Sequence, residues 1–210
     1  MTRILIADDH AILRRGLKEI LVREFGSLEC GEAGNAQQVL SEVQRHDWDL
    51  VILDVTMPGR SGLDILQDLK GLRPKLPVLV LSVFPETQLG RRALKAGASG
   101  YMNKESAPEE LIMAVRRALG GGVYVSPVLA EVLARDLGRP ADEPLHERLS
   151  NRELEVLRLL GSGKTISQIA ELLNLSATTV STYRAHILEK MNMTTTAELM
   201  NYALRNQLVD

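Results

Sequence analysis

The sequence predicts an α/β first half, a five-stranded parallel sheet doubly wound by helices, followed by a small all-α second half. Three observations lead there. Short apolar runs alternate with helically spaced segments through residues 1–120, the pattern of strand-helix-strand units whose sheet is covered on both faces. A polar, proline-bearing stretch, Gly138-Arg139-Pro140-Ala141-Asp142-Glu143-Pro144, carries no apolar period and reads as a linker. Beyond it every segment has helical spacing.

In chain order, the expected strands are Ile4–Ala7, Leu28–Ala33, Leu50–Leu53, Val78–Leu81 and Gly100–Met102, each a short run, wholly apolar or of period 2, followed by a helical pattern. Leu63, Leu66 and Leu69 form one helical stripe, and Leu111, Ile112, Val115 and Leu119 another. Gly120-Gly121-Gly122 ends the latter. Ser126 and Pro127 then read as an N-cap and a first-turn proline, opening a short helix to about Leu137. Residues 1–120 are assigned to the first domain, 121–145 to a linker with this short helix, and 146–210 to the second domain. In the last, helices are expected over Asn151–Leu160, Ile166–Leu173, Ala177–Met191 and Thr196–Leu204.

A length of 210 residues at 45% apolar content suits two packed cores. Cys30 is the single cysteine, so no internal disulfide is expected. Met1-Thr2-Arg3 runs straight into an apolar segment with no signal-peptide pattern, and no apolar stretch reaches the ~18 residues of a membrane span. The expected setting is the cytoplasm, away from membranes. Residues 1–120 hold 16 basic and 16 acidic side chains, and residues 145–210 hold seven of each. That balance argues against a nonspecific DNA coat and leaves any nucleic-acid contact to local placement.

Asp8-Asp9 closes the first apolar run, Asp54 the third, Ser82 the fourth, and Lys104 follows the fifth. In a parallel sheet these positions share one edge. Three carboxylates and an ammonium there suit Mg²⁺ with a phosphoryl group. Mg²⁺ takes oxygen ligands and is commonly held by one or two carboxylates plus phosphate, and a strand-end aspartate can accept a phosphoryl group as an acyl phosphate. Asp9 and Asp54 are expected as direct metal ligands, Asp8 through water, with the backbone oxygen of Thr56 completing the set. Lys104 would pair with the phosphoryl oxygens. His10 is expected to begin the first helix and not to be a ligand, with Thr56 and Phe84 near the pocket mouth. Any one of these acids alone reads as a solvated surface group; it is their convergence that carries the chemistry.

With Met57-Pro58 after Asp54 and Tyr101 in the fifth strand, these residues resemble the receiver domain of two-component response regulators over about residues 3–119. The resemblance implies that Asp54 takes phosphate from a sensor histidine kinase. It also implies that Ser82 supplies the hydroxyl that turns to the phosphoryl group and Tyr101 the aromatic that moves inward. An aspartyl-phosphate phosphatase of the haloacid-dehalogenase kind also uses a strand-end aspartate, but it wants a second aspartate two positions on, and Thr56 stands there. The chain is therefore expected not to be an enzyme.

In the second half, Gly161-Ser162-Gly163-Lys164-Thr165 is no phosphate loop, because the position of the required first glycine is Arg158 and a helical segment precedes it. Gly161 and Gly163 read as a helix stop and connector. Ile166–Leu173, the turn Asn174-Leu175-Ser176 and Ala177–Met191 read as a helix-turn-helix spanning about Ile166–Ala185 at its core. Val180, Ile187 and Met191 form the inward stripe. Thr178, Thr182, Ala185 and Glu189 face out, bordered by Ser181 and His186, small enough for close approach to double-stranded DNA in the major groove. Arg184 and Lys190 suit phosphates. From periodicity alone a protein-binding bundle fits as well.

Leu149-Ser150-Asn151-Arg152-Glu153-Leu154-Glu155-Val156-Leu157, with Thr179-Val180-Ser181-Thr182-Tyr183 and Ile187-Leu188-Glu189-Lys190-Met191, resembles the LuxR-type helix-turn-helix, and the two matches together the NarL/FixJ class of response regulators. Ser167 and Ser181 stand where that family often has lysine, which should flatten the salt dependence of binding. The resemblance implies a homodimer formed through the last helix, for which Leu199, Met200, Ala203 and Leu204 are the expected contacts, with recognition helices about 34–36 Å apart. A regulator that works without phosphate remains the alternative.

Overall fold

The computed structural model describes residues 1–57, 60–137 and 144–209. Pro58 of the loop after Asp54 and linker residues 138–143 lie outside the described residues. Five parallel strands, β1 (Thr2–Ala7), β2 (Leu28–Ala33), β3 (Leu50–Asp54), β4 (Val78–Ser82) and β5 (Gly100–Asn103), form one sheet in the order β2-β1-β3-β4-β5. Between them run α1 (Ala11–Phe25), α2 (Ala36–Arg45), α3 (Gly62–Leu72) and α4 (Glu86–Lys95), and α5 (Pro108–Leu119) follows β5. β3 and β4 are buried at every position, as strands covered on both faces require. One core packs Ile4, Ile6, Ile52 and Leu79 against Leu17 and Leu21 of α1 and Leu111 and Val115 of α5.

Register fixes the functional edge. Ala7 pairs with Leu53, Asp54 with Leu81, and Ser82 with Asn103, so the residues that follow β1, end β3 and β4, and follow β5 emerge together. The chain order reverses between β1 and β3, the point at which open α/β sheets leave a crevice beyond their strand ends. Gly62 makes this edge tight, because a Cβ there would overlap the carbonyl of Asp54.

One expectation is corrected here. The short helix α6 (Pro127–Leu137), assigned from sequence to the linker, belongs to the first compact unit, which extends through residue 138. Leu129 is fully buried, and the Tyr124 N–H donates to the Ser99 carbonyl at 2.8 Å, carrying the chain along the β5 edge. Apolar residues of α6 find their partner on α4, a neighbour that periodicity does not name.

The second unit holds a 3₁₀ turn (Leu145–Arg148) and helices α7 (Asn151–Gly161), α8 (Ile166–Leu172), α9 (Ala177–Lys190) and α10 (Thr196–Arg205). Reciprocal capping boxes start three of them, Ser150 with Glu153, Thr165 with Gln168 and Thr195 with Glu198. Gly161 is the last residue of α7, where the helix stop was expected, and Gly163, at φ +76°, takes the left-handed connector conformation. The reason for glycine at 161 is close approach: a Cβ there would stand 2.7 Å from Cβ of Ala203 on α10. Among the described residues no helix is long and apolar enough to cross a membrane.

Gly161→Ala is expected to destabilise the helical unit by about 1–3 kcal/mol through overpacking. Trp48, the one tryptophan, lies in the sheet unit. Its fluorescence transition in urea should stay in place while the helical circular-dichroism signal is lost at lower denaturant; coincident wild-type transitions would contradict the assignment.

Candidate functional site

At the sheet edge, Asp8 and Asp54 are each 1% exposed. Lys104 Nζ reaches Asp8 Oδ2 at 2.6 Å and Asp54 Oδ2 at 2.8 Å. The first contact is a hydrogen bond, and the second pairs the ammonium with the buried Asp54 Oδ2. Asp54 Oδ1 accepts the Thr56 N–H at 3.0 Å. Asp9 Oδ1 is also buried. Ligand atoms of Asp8, Asp9, His10 and Asp54 all lie within 4.8 Å of one another.

The electrostatics follow from burial. Desolvation pushes the Asp54 carboxyl up to about 6, with Lys104 opposing and Asp8 adding to the rise. Burial also works against the Lys104 ammonium, but Asp54 and Asp8 outweigh it and hold that group above the ordinary lysine range. One ammonium among three carboxylates leaves the pocket with excess negative charge: Asp54 Oδ2 faces Lys104 Nζ at 2.8 Å and Asp9 Oδ1 faces His10 Nδ1 at 2.8 Å. Such a donor set fits a hard divalent cation that takes oxygen ligands.

The expected residues converge, and two others join them. His10 caps the start of α1 as expected, yet its Nδ1 also lies 3.1 Å from Asp8 Oδ1 and 2.8 Å from Asp9 Oδ1. Its adjacency to Asp8-Asp9 was the signal for this. Arg14, one turn into α1, donates through Nη1 to the Asp8 carbonyl at 2.7 Å and through Nε to Glu32 at 3.1 Å. It pins the acidic loop, and nothing in its spacing announced the role. Thr56 sits at the rim with its Oγ1 buried and without a hydrogen bond.

Ser82 is fully buried, and its Oγ accepts the Phe84 N–H at 3.0 Å. Tyr101 is also fully buried, packed inward, with its hydroxyl donating to the Phe84 carbonyl at 2.8 Å. Beside Lys104, between α1 and the start of α5, opens an apolar groove of about 530 Å³ lined by Leu13, Leu17, Met102 and Leu111. Ile12 on its rim is 90% exposed.

In the helical unit, α8 and α9 meet through a turn in which Asn174 takes φ +50°. Ser176 caps α9 by accepting the Thr179 N–H at 3.0 Å. Val180, Ile187 and Met191 are buried, whereas Thr178, Ser181, Thr182, Ala185, His186 and Glu189 are exposed along one side. The Ser181 and Thr182 hydroxyls donate to the carbonyls of Ala177 and Thr178, which leaves their lone pairs outward as acceptors.

Both flanking cations also make contacts within the unit. Lys190 Nζ contacts Glu153 Oε2 at 2.7 Å and Oε1 at 2.8 Å, tying the end of α9 to the capping box of α7. Burial pushes the Glu153 carboxyl up, but Lys190 and the Ser150 N–H overcome this and hold it below the usual range. Arg184 donates to Thr196 Oγ1 at 3.0 Å. The dimer surface needs correction. Leu199 and Ala203 are fully buried, in the seam where α10 packs on α7, and only Met200 and Leu204 of the expected four keep outward surface.

Against known families, residues 4–116 match the response regulator receiver domain and residues 147–203 match the bacterial regulatory proteins of the luxR family. The chain is 34% identical to the response regulator GacA of Pseudomonas aeruginosa over 212 residues, covering 100% of this chain and 99% of that protein. It is 37% identical to the transcriptional activator protein ExaE of Pseudomonas putida over 208 residues, covering 98% and 97%. A solved structure of RcsB from Salmonella enterica serovar Typhimurium, bound to promoter P1flhDC in the presence of phosphomimetic BeF3-, superposes with a TM-score of 0.65 at 28% identity, covering 96% of this chain and 97% of that one. With a receiver edge of this composition joined to a LuxR-type helix-turn-helix unit, the chain belongs to the NarL/FixJ class of response regulators, the transcriptional regulators of two-component systems.

Proposed function

We propose that Asp54 accepts a phosphoryl group from a phosphohistidine of a sensor histidine kinase, with Mg²⁺ held by Asp8, Asp9, Asp54 and the Thr56 backbone oxygen, and that the acyl phosphate controls DNA binding by α9. The observation that carries this is the strand-end Asp54 carboxylate, buried, paired with Lys104 at 2.8 Å and gathered with Asp8 and Asp9 in one acidic cluster. In the transfer an Asp54 oxygen attacks phosphorus. The phosphorus-nitrogen bond breaks, its electron pair returns to the donor imidazole, and that ring takes up a proton. Bound Mg²⁺ supplies charge neutralisation for the phosphoryl oxygens. Lys104 offers its ammonium to the same oxygens, and the groove beside it gives the donor domain an apolar footing. Thr56 supplies no general acid of the phosphatase type.

The new charge gives the Ser82 hydroxyl a stronger acceptor than its present surroundings. Inverting a 1:99 population takes about 5.5 kcal/mol of differential stabilisation, within reach of a few charge-assisted hydrogen bonds. On the output side, Thr178, Thr179, Ser181, Thr182, Ala185 and His186 would meet duplex DNA, with Arg184 at the phosphates. A homodimer using the outward Met200 and Leu204 would place two such helices on successive major grooves. A chain that reads chromosomal DNA works in the compartment that holds it, the cytoplasm.

Three measurements test this. Intact mass after acetyl phosphate and Mg²⁺ should show one phosphoryl increment that Asp54→Asn abolishes, with DNA affinity and dimer content rising only in the wild type. An unchanged mass, or equal DNA affinity with and without the adduct, would favour the phosphate-independent alternative.

The second concerns stability against pH in chelator. Because Asp54 binds its proton more tightly folded than unfolded, its ionisation penalises the folded state; the penalty is absent below about pH 4 and complete above about pH 6. Asp54→Asn should therefore be more stable than wild type by about 1–3 kcal/mol near pH 7, with the advantage vanishing toward pH 4. Added Mg²⁺ should narrow the gap by binding only the wild-type pocket tightly. A gap that is constant with pH contradicts the assignment.

The third distinguishes roles for Lys190. As a positioning residue held by Glu153, its replacement by Gln should weaken DNA binding while changing the logarithmic salt slope by much less than the ~0.9 of a lost phosphate contact. Glu153→Gln should weaken binding in parallel. A full loss of slope in Lys190→Gln, with Glu153→Gln neutral, would return Lys190 to the phosphate backbone.

A further inference from the structure

Ser82 and Tyr101 converge on one residue outside the pocket. The Phe84 N–H is held by Ser82 Oγ and the Phe84 carbonyl by the Tyr101 hydroxyl, so the two side chains through which a phosphoryl group would be sensed grip the same peptide backbone. Two residues on, Glu86 opens α4 and is only 8% exposed. It has no place in the acceptor pocket. Its carboxylate accepts the hydroxyl of Ser126, the residue immediately before α6, and the Ser126 oxygen in turn accepts the Leu129 N–H at 3.1 Å.

One turn further along α4, Gly90 leaves a slot for Leu129. A Cβ at 90 would stand 2.7 Å from Leu129 Cδ1, and Leu129 is fully buried. The segment before α6 is anchored separately, by the Tyr124 hydroxyl donating to Glu110 Oε1 at 2.7 Å on α5 and by the Tyr124 N–H on Ser99. The N-terminal part of α6 thus rides on α4 at a polar point and an apolar one, while the chain after α6 leads to the helical unit that begins at residue 139.

We infer that α6 is the output element of the receiver, carried by α4 through the Ser126–Glu86 and Leu129–Gly90 contacts, so that a shift of Phe84 repositions the chain that enters the DNA-binding unit. The inference rests on phosphorylation at Asp54. It adds a route: a change at Ser82 reaches Phe84 through one hydrogen bond, Glu86 through two peptide units, and α6 through the Ser126 hydroxyl. α4 and α6 are packed side chain against backbone at Gly90, so a displacement of one without the other would open a void or a clash.

The test is amide hydrogen exchange on the full chain with and without acetyl phosphate and Mg²⁺, in wild type, Gly90→Ala and Ser126→Ala, with phosphoryl occupancy read by intact mass. In wild type, exchange over residues 127–135 should change together with that over 86–95. In both variants the adduct should form to the wild-type extent and α4 should still respond, but α6 should not follow. The phosphorylation-dependent ratio of DNA affinities should then fall by about threefold or more. Gly90→Ala intrudes on packing, whereas Ser126→Ala removes a single hydroxyl, so the pair separates coupling from misfolding. A wild-type adduct with unchanged α6 exchange overturns the inference, as does a wild-type affinity ratio in Ser126→Ala. Absence of the adduct in wild type defeats the Asp54 reading instead.

Discussion

Lys104 is the charge on which the acceptor edge depends. Its ammonium lies between Asp8 and Asp54, residues that end or follow strands adjacent in the sheet but distant in the chain. Without it, two almost fully buried carboxylates would face each other with only Thr56 N–H and peripheral groups to stabilise them, a cost of several kcal/mol per ion in a poorly solvated place. With it, the pocket still carries excess negative charge, and the Asp54 carboxyl stays well above the ordinary aspartate range. The edge is therefore held together and at the same time left short of positive charge, which is the condition under which a divalent cation and a phosphoryl group gain most by entering.

The same tension organises what surrounds the pocket. Arg14 fixes the Asp8 carbonyl from α1, Gly62 keeps α3 close beneath Asp54, and Lys104 N–H is itself bonded to the Ser82 carbonyl at 2.7 Å. Opposite these supports lies the β4–α4 loop. There the Phe84 N–H donates to Ser82 Oγ and its carbonyl accepts the Tyr101 hydroxyl. Bistability needs a few exchangeable contacts set against a stiff background, and this loop supplies them.

The helical unit applies a comparable division to α9. One side is buried against its neighbours, and the end is tied to α7 by Lys190 and Glu153, so the outward row of small hydroxyl and methyl groups is presented on a fixed support. An ion pair with one partly exposed member contributes modestly to stability. Its value here is geometric, since it sets where the exposed face points.

Much of the fold was legible because burial on both faces makes the central parallel strands apolar runs, as in β3 and β4, while the edge strand β2, partly exposed, was found by its place in the alternation with helices. Asp8, Asp9, Asp54, Ser82 and Lys104 could be gathered from sequence for the same reason: a strand's end is a position along the chain, and parallel strands bring their ends to one edge. The outward face of α9 followed from helical periodicity, with Val180 and Ile187 marking the opposite side. Tertiary structure decided what depends on partners far away in sequence. Lys190 pairs with Glu153 of α7, Leu199 and Ala203 are buried in the seam against α7, Gly161 is glycine for the sake of α10, and α6, assigned from sequence to the 121–145 linker, packs on α4. Periodicity shows that a face is apolar or that a cation lies near an edge; whether that group meets its own domain, a second copy or DNA is set by which surface lies opposite, and only the folded arrangement supplies it.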